Sequence, residues 1–279
     1  MLKRLATYAR FVKFEHTIFS LPIIFAGAVL AQRGWPSLRL SALLLTAAVG
    51  GRTVAMGLNR IIDRHIDARN PRTQVRELPA GHMKLVEAWF VVGAALAVYV
   101  WAASAIAPIC LWWSPVPVIL FVVYPYLKRF TTLAHLGLGL AWATAPLAGW
   151  LAVRQTWDEP LGAILLAVFS IFWVAGFDIL YAIQDVAADV RDKLYSLPAK
   201  AGNCRAAQIS SLLHGVAFIE LALFSWLYLH TWVAVPFLIA ISGLLFWEHH
   251  TDDLNLAFFK INAVLGFVVL GLIWVGVIA

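Results

Sequence analysis

The length of the apolar stretches constrains the fold of this chain more than any other feature. Each of nine stretches could cross the roughly 30 Å hydrocarbon core of a bilayer as a helix of about 20 residues. Peptide groups inside a bilayer have no water to bind, so such stretches fold as helices. The sequence therefore predicts an all-α polytopic membrane protein, a single domain over residues 1–279. The predicted spans cover roughly 16–34, 38–58, 85–106, 108–126, 132–152, 159–181, 205–229, 231–248 and 259–278.

The third and fourth spans are separated only by Ala107 and Pro108, which leaves eight spans as the alternative. Composition supports a membrane protein, because 13% of the residues are charged and 62% are hydrophobic, whereas soluble domains have about 25% charged residues. The net charge of +6 includes no Lys/Arg tract of the kind that binds nucleic acid. The two cysteines stand alone and are expected to pack as small apolar residues.

The basic residues lie almost entirely in alternate loops between the predicted spans. Of the 21 Lys and Arg residues, the N-terminal segment and the loops on its side hold all but Arg33, Arg39, Arg154 and the intramembrane Arg52. Lys and Arg are enriched in cytoplasmic loops. We therefore expect the N-terminus, and both acidic segments described next, to lie on the cytoplasmic side.

The first acidic segment follows the second predicted span and places Asn59, Asp63 and Asp67 four residues apart. Residues at this spacing are neighbours on a helix, so the three side chains form an oxygen-lined patch. Carboxylates near membrane helices are costly and usually functional. Arg52 lies on the same face within the apolar run. We expect it to face a polar cavity and reach an acidic group or a phosphate; a structural ion pair is the alternative.

The second acidic segment ends the sixth predicted span and places Asp178, Tyr181, Asp185 and Asp189 on one helical face. Asp185 and Asp189 are the better pair of metal ligands, and Asp178 lies deeper, where it could act as a base. Asp192 is expected to be a solvated charge. Magnesium is commonly held by one or two carboxylates together with substrate phosphates. Two such patches in one membrane protein therefore indicate an enzyme that binds a diphosphate.

Basic and hydroxyl groups that could bind phosphate accompany these patches. Tyr124 and Lys128 are four residues apart at the end of the fourth predicted span, with Arg129 adjacent. Arg72 and Arg76 follow the first acidic segment and could close over a diphosphate, although solvated loop charges would have the same pattern.

With these motifs, the chain resembles the UbiA superfamily of intramembrane aromatic prenyltransferases over essentially its whole length. The family patterns Asn-x-x-x-Asp-x-x-x-Asp, Tyr-x-x-x-Asp-x-x-x-Asp and Tyr-x-x-x-Lys, and an arginine in the second helix, are all present. The phrases KFEHTIFSLP, RTVAMGLNRIIDRHIDARNPRT and RELPAG are similar to a bacterial and archaeal branch labelled 4-hydroxybenzoate polyprenyltransferases. Some of its members prenylate a dihydroxynaphthoate in the futalosine route to menaquinone. Glu77 is a departure, because many ubiquinone-pathway members have proline there.

The resemblance implies nine helices around a cavity that opens sideways to lipid in a prokaryotic cytoplasmic membrane, with the active site on the cytoplasmic side. Two Mg²⁺ would bridge the diphosphate, and Asp178, Asp185 and Asp189 would take part in catalysis. The implied metal ligands are Asn59, Asp63, Asp67, Asp185 and Asp189. The implied diphosphate-binding residues are Arg52, Asn59, Arg76, Tyr124, Lys128 and Tyr181.

The expected reaction transfers a polyprenyl group from a polyprenyl diphosphate to a small aromatic carboxylate such as 4-hydroxybenzoate. Arg10, Lys13 and Arg129 are the candidates to bind the acceptor carboxylate. The alternative acceptor is 1,4-dihydroxy-6-naphthoate, and haem, chlorophyll-type and ether-lipid acceptors use the same machinery. A transporter for an anionic lipid or metabolite is the alternative from another class, although it does not explain the dense acidic spacing. We expect no obligatory protein partner and no nucleic acid.

Overall fold

In a computed structural model, the described residues, 2–13, 17–229, 231–251, 253 and 256–279, form helices joined by short connections. No strand occurs among them, as expected for an all-α protein. A 3₁₀ turn covers Ile183–Asp185 and a π-helical turn covers Leu256–Ile261. The α-helices are α1 (Leu2–Phe11), α2 (Thr17–Gln32), α3 (Leu38–Ile62), α4 (Arg64–Asp67), α5 (Leu85–Ile106), α6 (Pro108–Trp113), α7 (Pro115–Leu127), α8 (Ala134–Arg154), α9 (Leu161–Ala182), α10 (Val186–Arg191), α11 (Leu197–Ala201), α12 (Asn203–Tyr228), α13 (Thr231–His250) and α14 (Asn262–Ile278).

Eight helical segments of the described chain are long and apolar enough to cross a membrane. The first predicted span corresponds to α2, which is apolar but has only 16 residues; the expected start of that span at residue 16 lies outside the described residues. Ala107 adopts an extended backbone between α5 and α6, so the boundary between the third and fourth spans is real. The fourth span consists of α6 and α7, which meet at Ser114.

Neighbouring helices pack around a bundle in which α9 is the central element. Helix α8 packs between α2 and α9, α12 covers another side of α9, and α14 packs back onto α2. Four aromatic side chains on α8 and α9 form a buried cluster of edge-to-face and stacked rings: Trp142, Phe169, Trp173 and Phe177. The α8–α9 interface is therefore densely packed, and it leads directly to the acidic end of α9.

Helices α2 and α8 cross so closely that each needs a glycine at the contact. A β-carbon at Gly149 would overlap the carbonyl oxygen of Ile24, and one at Gly27 would overlap that of Pro146. Lipid is as apolar as the side chains, so helix association in a membrane depends on close backbone packing of this kind.

The backbone bends at the central aspartate of each acidic segment. Asp63 ends α3 with φ −91° and ψ 3°, and Asp185 precedes α10 with φ −103° and ψ 0°. This sparsely populated region of backbone conformation is common among active-site residues. Each acidic segment is therefore interrupted at this aspartate instead of forming one regular helix. The Asp63 and Asp67 amides still bond the carbonyls four residues earlier, so the side chains of the first segment stay on one side.

Candidate active site

The two acidic segments meet in one polar cavity at the end of the bundle where α3 and α9 finish. The empty space of this cavity is about 880 Å³, its mouth included. Its wall contains every residue of both predicted acidic motifs, together with Tyr124 and Lys128. The polar and charged lining residues are Asn59, Asp63, Asp67, Asn70, Arg72, Thr73, Arg76, Tyr124, Lys128, His135, Asp178, Tyr181, Asp185, Asp189 and Ser196.

Asp63 is the most enclosed carboxylate of the first motif. Its side chain is 3% exposed; Lys128 Nζ donates to Oδ2 at 2.6 Å and Arg129 Nη2 to Oδ1 at 3.3 Å. Burial raises the pKa of the Asp63 carboxyl above its ordinary value, although Lys128 and Arg129 oppose the rise. Lys128, which was expected to bind phosphate, thus contacts the first motif directly in the protein without substrate.

Asp67 is held by the arginine nine residues later. Arg76 Nη1 lies 2.8 Å from both carboxylate oxygens of Asp67, and the Thr73 hydroxyl donates to the Asp67 carbonyl at 3.0 Å. The loop after α4 therefore folds back over the first motif and brings Arg76 into the cavity.

Asp185 receives the most hydrogen bonds of the motif carboxylates, and they come from the loop that follows the first motif. Arg72 Nη2 lies 2.5 Å from Oδ2 and Nε 2.8 Å from Oδ1, while Asn70 Nδ2 donates to Oδ1 at 2.6 Å. Arg72 Nη1 also donates to the Tyr181 hydroxyl at 2.9 Å. Asn70 was missed in the sequence, although it belongs to the Asn-Pro-Arg run after Asp67.

Outside the cavity, a second contact ties the two acidic segments together. Arg69 Nε lies 3.0 Å from the Asp192 carboxylate, and Arg191 Nη2 donates to the Arg69 carbonyl at 2.6 Å. Only 8% of the Asp192 side chain is exposed, so the prediction of a solvated charge was wrong. Burial opposes the change, but hydrogen bonds from Arg69 and Arg191 hold the pKa of Asp192 below its usual range.

An apolar cavity adjoins the polar one, and Tyr124 and Leu138 line both. Its empty space, mouth included, is about 1340 Å³. Arg52 lines this apolar cavity rather than the polar one, with its guanidinium 5.7 Å from the Trp142 ring centroid. Its Nε atom has no hydrogen-bond partner among the described residues. The expectation of a polar surrounding for Arg52 was therefore wrong, but its buried cation faces space that a ligand could fill.

The charges and donor types of the polar cavity fit magnesium bound together with a diphosphate. Its wall contains five carboxylates and the three cations Arg72, Arg76 and Lys128, a formal excess of two negative charges that would repel a bare diphosphate. No three Asp, Glu, His or Cys side chains in the described parts of the chain converge closely enough to hold a metal alone. Magnesium, however, usually takes only one or two carboxylates and completes its shell with phosphate oxygens and water.

The three candidates for the acceptor carboxylate differ in position. Arg129 contacts the cavity wall through Asp63 and the Ile62 carbonyl. Arg10 is 63% exposed on its side chain and pairs with Glu77 at 3.5 Å. None of the three residues lines either cavity. Arg129 alone among them contacts a residue of the polar cavity wall, Asp63, so the geometry favours Arg129 over the other two.

Comparisons with known proteins agree with this architecture. The model of the UbiA prenyltransferase family matches residues 20–276. The 4-hydroxybenzoate octaprenyltransferase of Legionella pneumophila (strain Lens) is 30% identical over 162 residues, which is 58% of this chain and 57% of that protein. The chain thus spans somewhat more than half the length of this relative.

Two solved structures extend the comparison to the whole bundle. The apo structure of a UbiA homologue from Aeropyrum pernix K1 has a TM-score of 0.85 and 31% identity, covering 94% of this chain and 98% of that one. A UbiA homologue from Archaeoglobus fulgidus, solved with GPP and Mg²⁺, has a TM-score of 0.75 and 21% identity, covering 96% and 99%.

Proposed function

Because the chain belongs to the UbiA prenyltransferase family, we propose that it transfers a polyprenyl group to a ring carbon of 4-hydroxybenzoate or a similar aromatic carboxylate. The polyprenyl diphosphate donor is common to the family, whereas the acceptor is the proposal. One observation carries the assignment of prenyl transfer: both acidic motifs line one polar cavity, and an apolar cavity adjoins it at Tyr124 and Leu138. Such a pair of compartments matches a donor with a charged head and a long apolar tail.

Substrate binding requires the ion pairs of the polar cavity to exchange partners. Asp63, Asp67 and Asp185 are bound by Lys128, Arg76 and Arg72. We infer that these carboxylates, with Asn59 and Asp189, would hold Mg²⁺, and that the three cations would then bind the phosphate oxygens. Mg²⁺ or diphosphate alone would leave charges of one sign unpaired in a partly buried site, so the residues suit the two ligands bound together.

The residues around the reacting carbon then favour departure of the diphosphate. Bound Mg²⁺ supplies stabilisation of the negative charge that develops on the leaving group. Arg72, Arg76 and Lys128 donate hydrogen bonds to the same oxygens, and such preorganised donors act strongly where water is excluded. The apolar cavity keeps water from the allylic cation, and the aromatic face of Trp142, already near the Arg52 cation, can stabilise positive charge.

The acceptor completes the reaction from the polar side of the junction. Arg129 would bind the acceptor carboxylate, the electron-rich ring carbon would attack the allylic carbon, and Asp178 would accept the ring proton. The excess of Lys and Arg in alternate loops supports a cytoplasmic mouth for this site, which suits an acceptor that arrives from water. A membrane of a prokaryotic cell is the proposed location.

The experiment that tests this proposal offers two acceptors in competition. Purified protein in detergent receives Mg²⁺, a radiolabelled polyprenyl diphosphate, 4-hydroxybenzoate and 1,4-dihydroxy-6-naphthoate, with Asp67→Asn as the inactive control. We expect prenylated 4-hydroxybenzoate to be the main product. Prenylation of the naphthoate instead would replace the acceptor within the same chemistry. Prenylation of neither, together with turnover of haem or a glycerol phosphate, would contradict the aromatic carboxylate assignment.

A further inference from the structure

We propose that His135 is a positioning residue, which holds the Asp178 carboxylate in the orientation needed to accept the acceptor's ring proton. The inference rests on the proposed function, because it names the group that supports the proposed base. His135 begins α8, far from either acidic motif in sequence, and no spacing pattern drew attention to it. Its side chain is buried beside Asp178 in the wall of the polar cavity.

The hydrogen bonds of His135 determine which ring nitrogen carries the proton. The Leu197 backbone N–H points at Nε2 at 3.3 Å, and an amide can only donate, so Nε2 must present its lone pair. The proton therefore lies on Nδ1, which is 2.7 Å from Asp178 Oδ2. An imidazole protonated at Nδ1 donates this hydrogen bond to the Asp178 carboxylate and thereby fixes the orientation of the carboxylate.

The position of the pair matches the place where the two substrates must meet. Asp178 lies one helical turn before Tyr181, on the inward side of the second motif, and its side chain is 26% exposed to the cavity. Leu138, one turn after His135, lines both the polar and the apolar cavity. With Oδ2 bound to His135, Oδ1 of Asp178 has no hydrogen-bond partner among the described residues and remains available to the acceptor.

The proton balance of the reaction indicates that His135 holds Asp178 in place and does not carry the proton away from it. The allylic C–O bond breaks and its electron pair leaves on the diphosphate; the ring carbon then forms the new C–C bond. The electrons of the ring C–H bond restore aromaticity, and the proton passes to Asp178 Oδ1. His135 cannot pass that proton onward through Nε2, because the Leu197 amide occupies that lone pair. Its role is to orient Asp178.

The same loop that supports His135 also supports a phosphate-binding residue. The Tyr195 amide donates to the Lys128 carbonyl at 2.7 Å, and Leu197, two residues later, begins α11. The segment after the second motif thus ties together the end of α7 and the start of α8. In this arrangement the base and the diphosphate site are assembled by one short stretch of chain.

The tautomer can be measured without any turnover. The measurement is ¹⁵N NMR of histidine-labelled protein in detergent micelles, without substrate. We expect the signal of one histidine that is protonated at Nδ1 and unprotonated at Nε2, and we expect this signal to be missing from the spectrum of His135→Asn. A protonated Nε2 on this histidine, alone or with Nδ1, would overturn the inference. This measurement decides the placement of His135 even if the acceptor proves to be different.

Kinetics with a ring-deuterated acceptor test the chemical role. We expect His135→Phe to lower kcat by about 10–100-fold, less than the roughly 10²–10⁴-fold contribution of a general base itself. The KM for the prenyl diphosphate should be unchanged. Proton removal should then limit the rate, so a primary isotope effect absent from the wild type should emerge. His135→Asn places an amide donor near the Nδ1 position and should restore most of kcat without the isotope effect.

Two outcomes would refute this role for His135. One is a normal kcat in His135→Phe; the other is a loss of kcat with a raised diphosphate KM and no new isotope effect, which would indicate a merely structural role. Failure of the wild type to prenylate any aromatic carboxylate would instead contradict the proposed function, and the NMR result would still decide the His135 tautomer.

Discussion

Arg76→Gln should strengthen the binding of free Mg²⁺ and slow the reaction at the same time. Arg76 Nη1 contacts both oxygens of Asp67 at 2.8 Å, and the Asp67 side chain is only 6% exposed. In the protein without substrate, Mg²⁺ must therefore displace a cation to reach this carboxylate. In the proposed reaction the same arginine would bind the departing diphosphate. Replacement of Arg76 should therefore strengthen Mg²⁺ binding and slow the departure of the diphosphate.

The magnitudes follow from the geometry of this pair. A hydrogen bond to a charged group contributes roughly 1.5–3 kcal/mol, and the 21% exposure of the Arg76 side chain favours the low end. A gain of about 1.4 kcal/mol corresponds to tenfold tighter Mg²⁺ binding. Loss of one preorganised donor to the developing anion should lower kcat by roughly 10²–10³-fold.

The assay combines calorimetric titration of Mg²⁺ into purified protein without diphosphate with radiolabelled turnover. Arg69→Gln is the matched control, because Arg69 belongs to the same loop and pairs with Asp192 outside the polar cavity. The control should change neither quantity by more than about twofold, because neither Arg69 nor Asp192 lines the polar cavity. Mg²⁺ affinity that is unchanged or weaker in Arg76→Gln, or a normal kcat, would refute the exchange of ion-pair partners.

Other expectations concern topology, packing and the metal. In a cysteine-free background, Gln74→Cys and Gln155→Cys should react with an impermeant thiol reagent from opposite sides of the membrane, and reaction from the same side would contradict the proposed topology. Gly149→Ala should lower the free energy of unfolding by about 1–3 kcal/mol, as is typical of overpacking, because the new β-carbon would overlap Ile24; the Tm in detergent should fall accordingly. Gly243→Ala is the control, because its β-carbon meets open space, and its Tm should match that of the wild type. Chelation of Mg²⁺ should abolish turnover and Mg²⁺ should restore it, whereas turnover that survives chelation would contradict the metal assignment.

The coarse architecture could be predicted because it depends on local properties of the chain. Apolar length alone located the spans, and four-residue spacing indicated that Asn59, Asp63 and Asp67 share one side of their segment. The presence of two acidic segments suggested a shared site, and the polar cavity brings them together. These inferences needed no knowledge of which helices pack against each other.

The finer features depend on contacts between distant segments, which no local pattern encodes. The pairing of Arg72 with Asp185 requires the loop after α4 to lie across the end of α9. His135 is a single histidine on an apolar helix, and only the approach of Leu197 gives it a defined tautomer. The surroundings of Arg52 were misjudged because the sequence shows its apolar neighbours but not the boundary between the two cavities.

The most direct test of the central claim, that both acidic motifs form one diphosphate site, is a double-mutant cycle on kcat with Asp63→Asn and Asp185→Asn. Residues that act as a unit have strongly non-additive effects. We predict that each single variant loses at least about 10²-fold in kcat, within the range for lost electrostatic stabilisation. The kcat of the double variant should be only slightly lower than that of the less active single variant. Near-normal turnover by either single variant, or losses that multiply in the double variant, would contradict the single site.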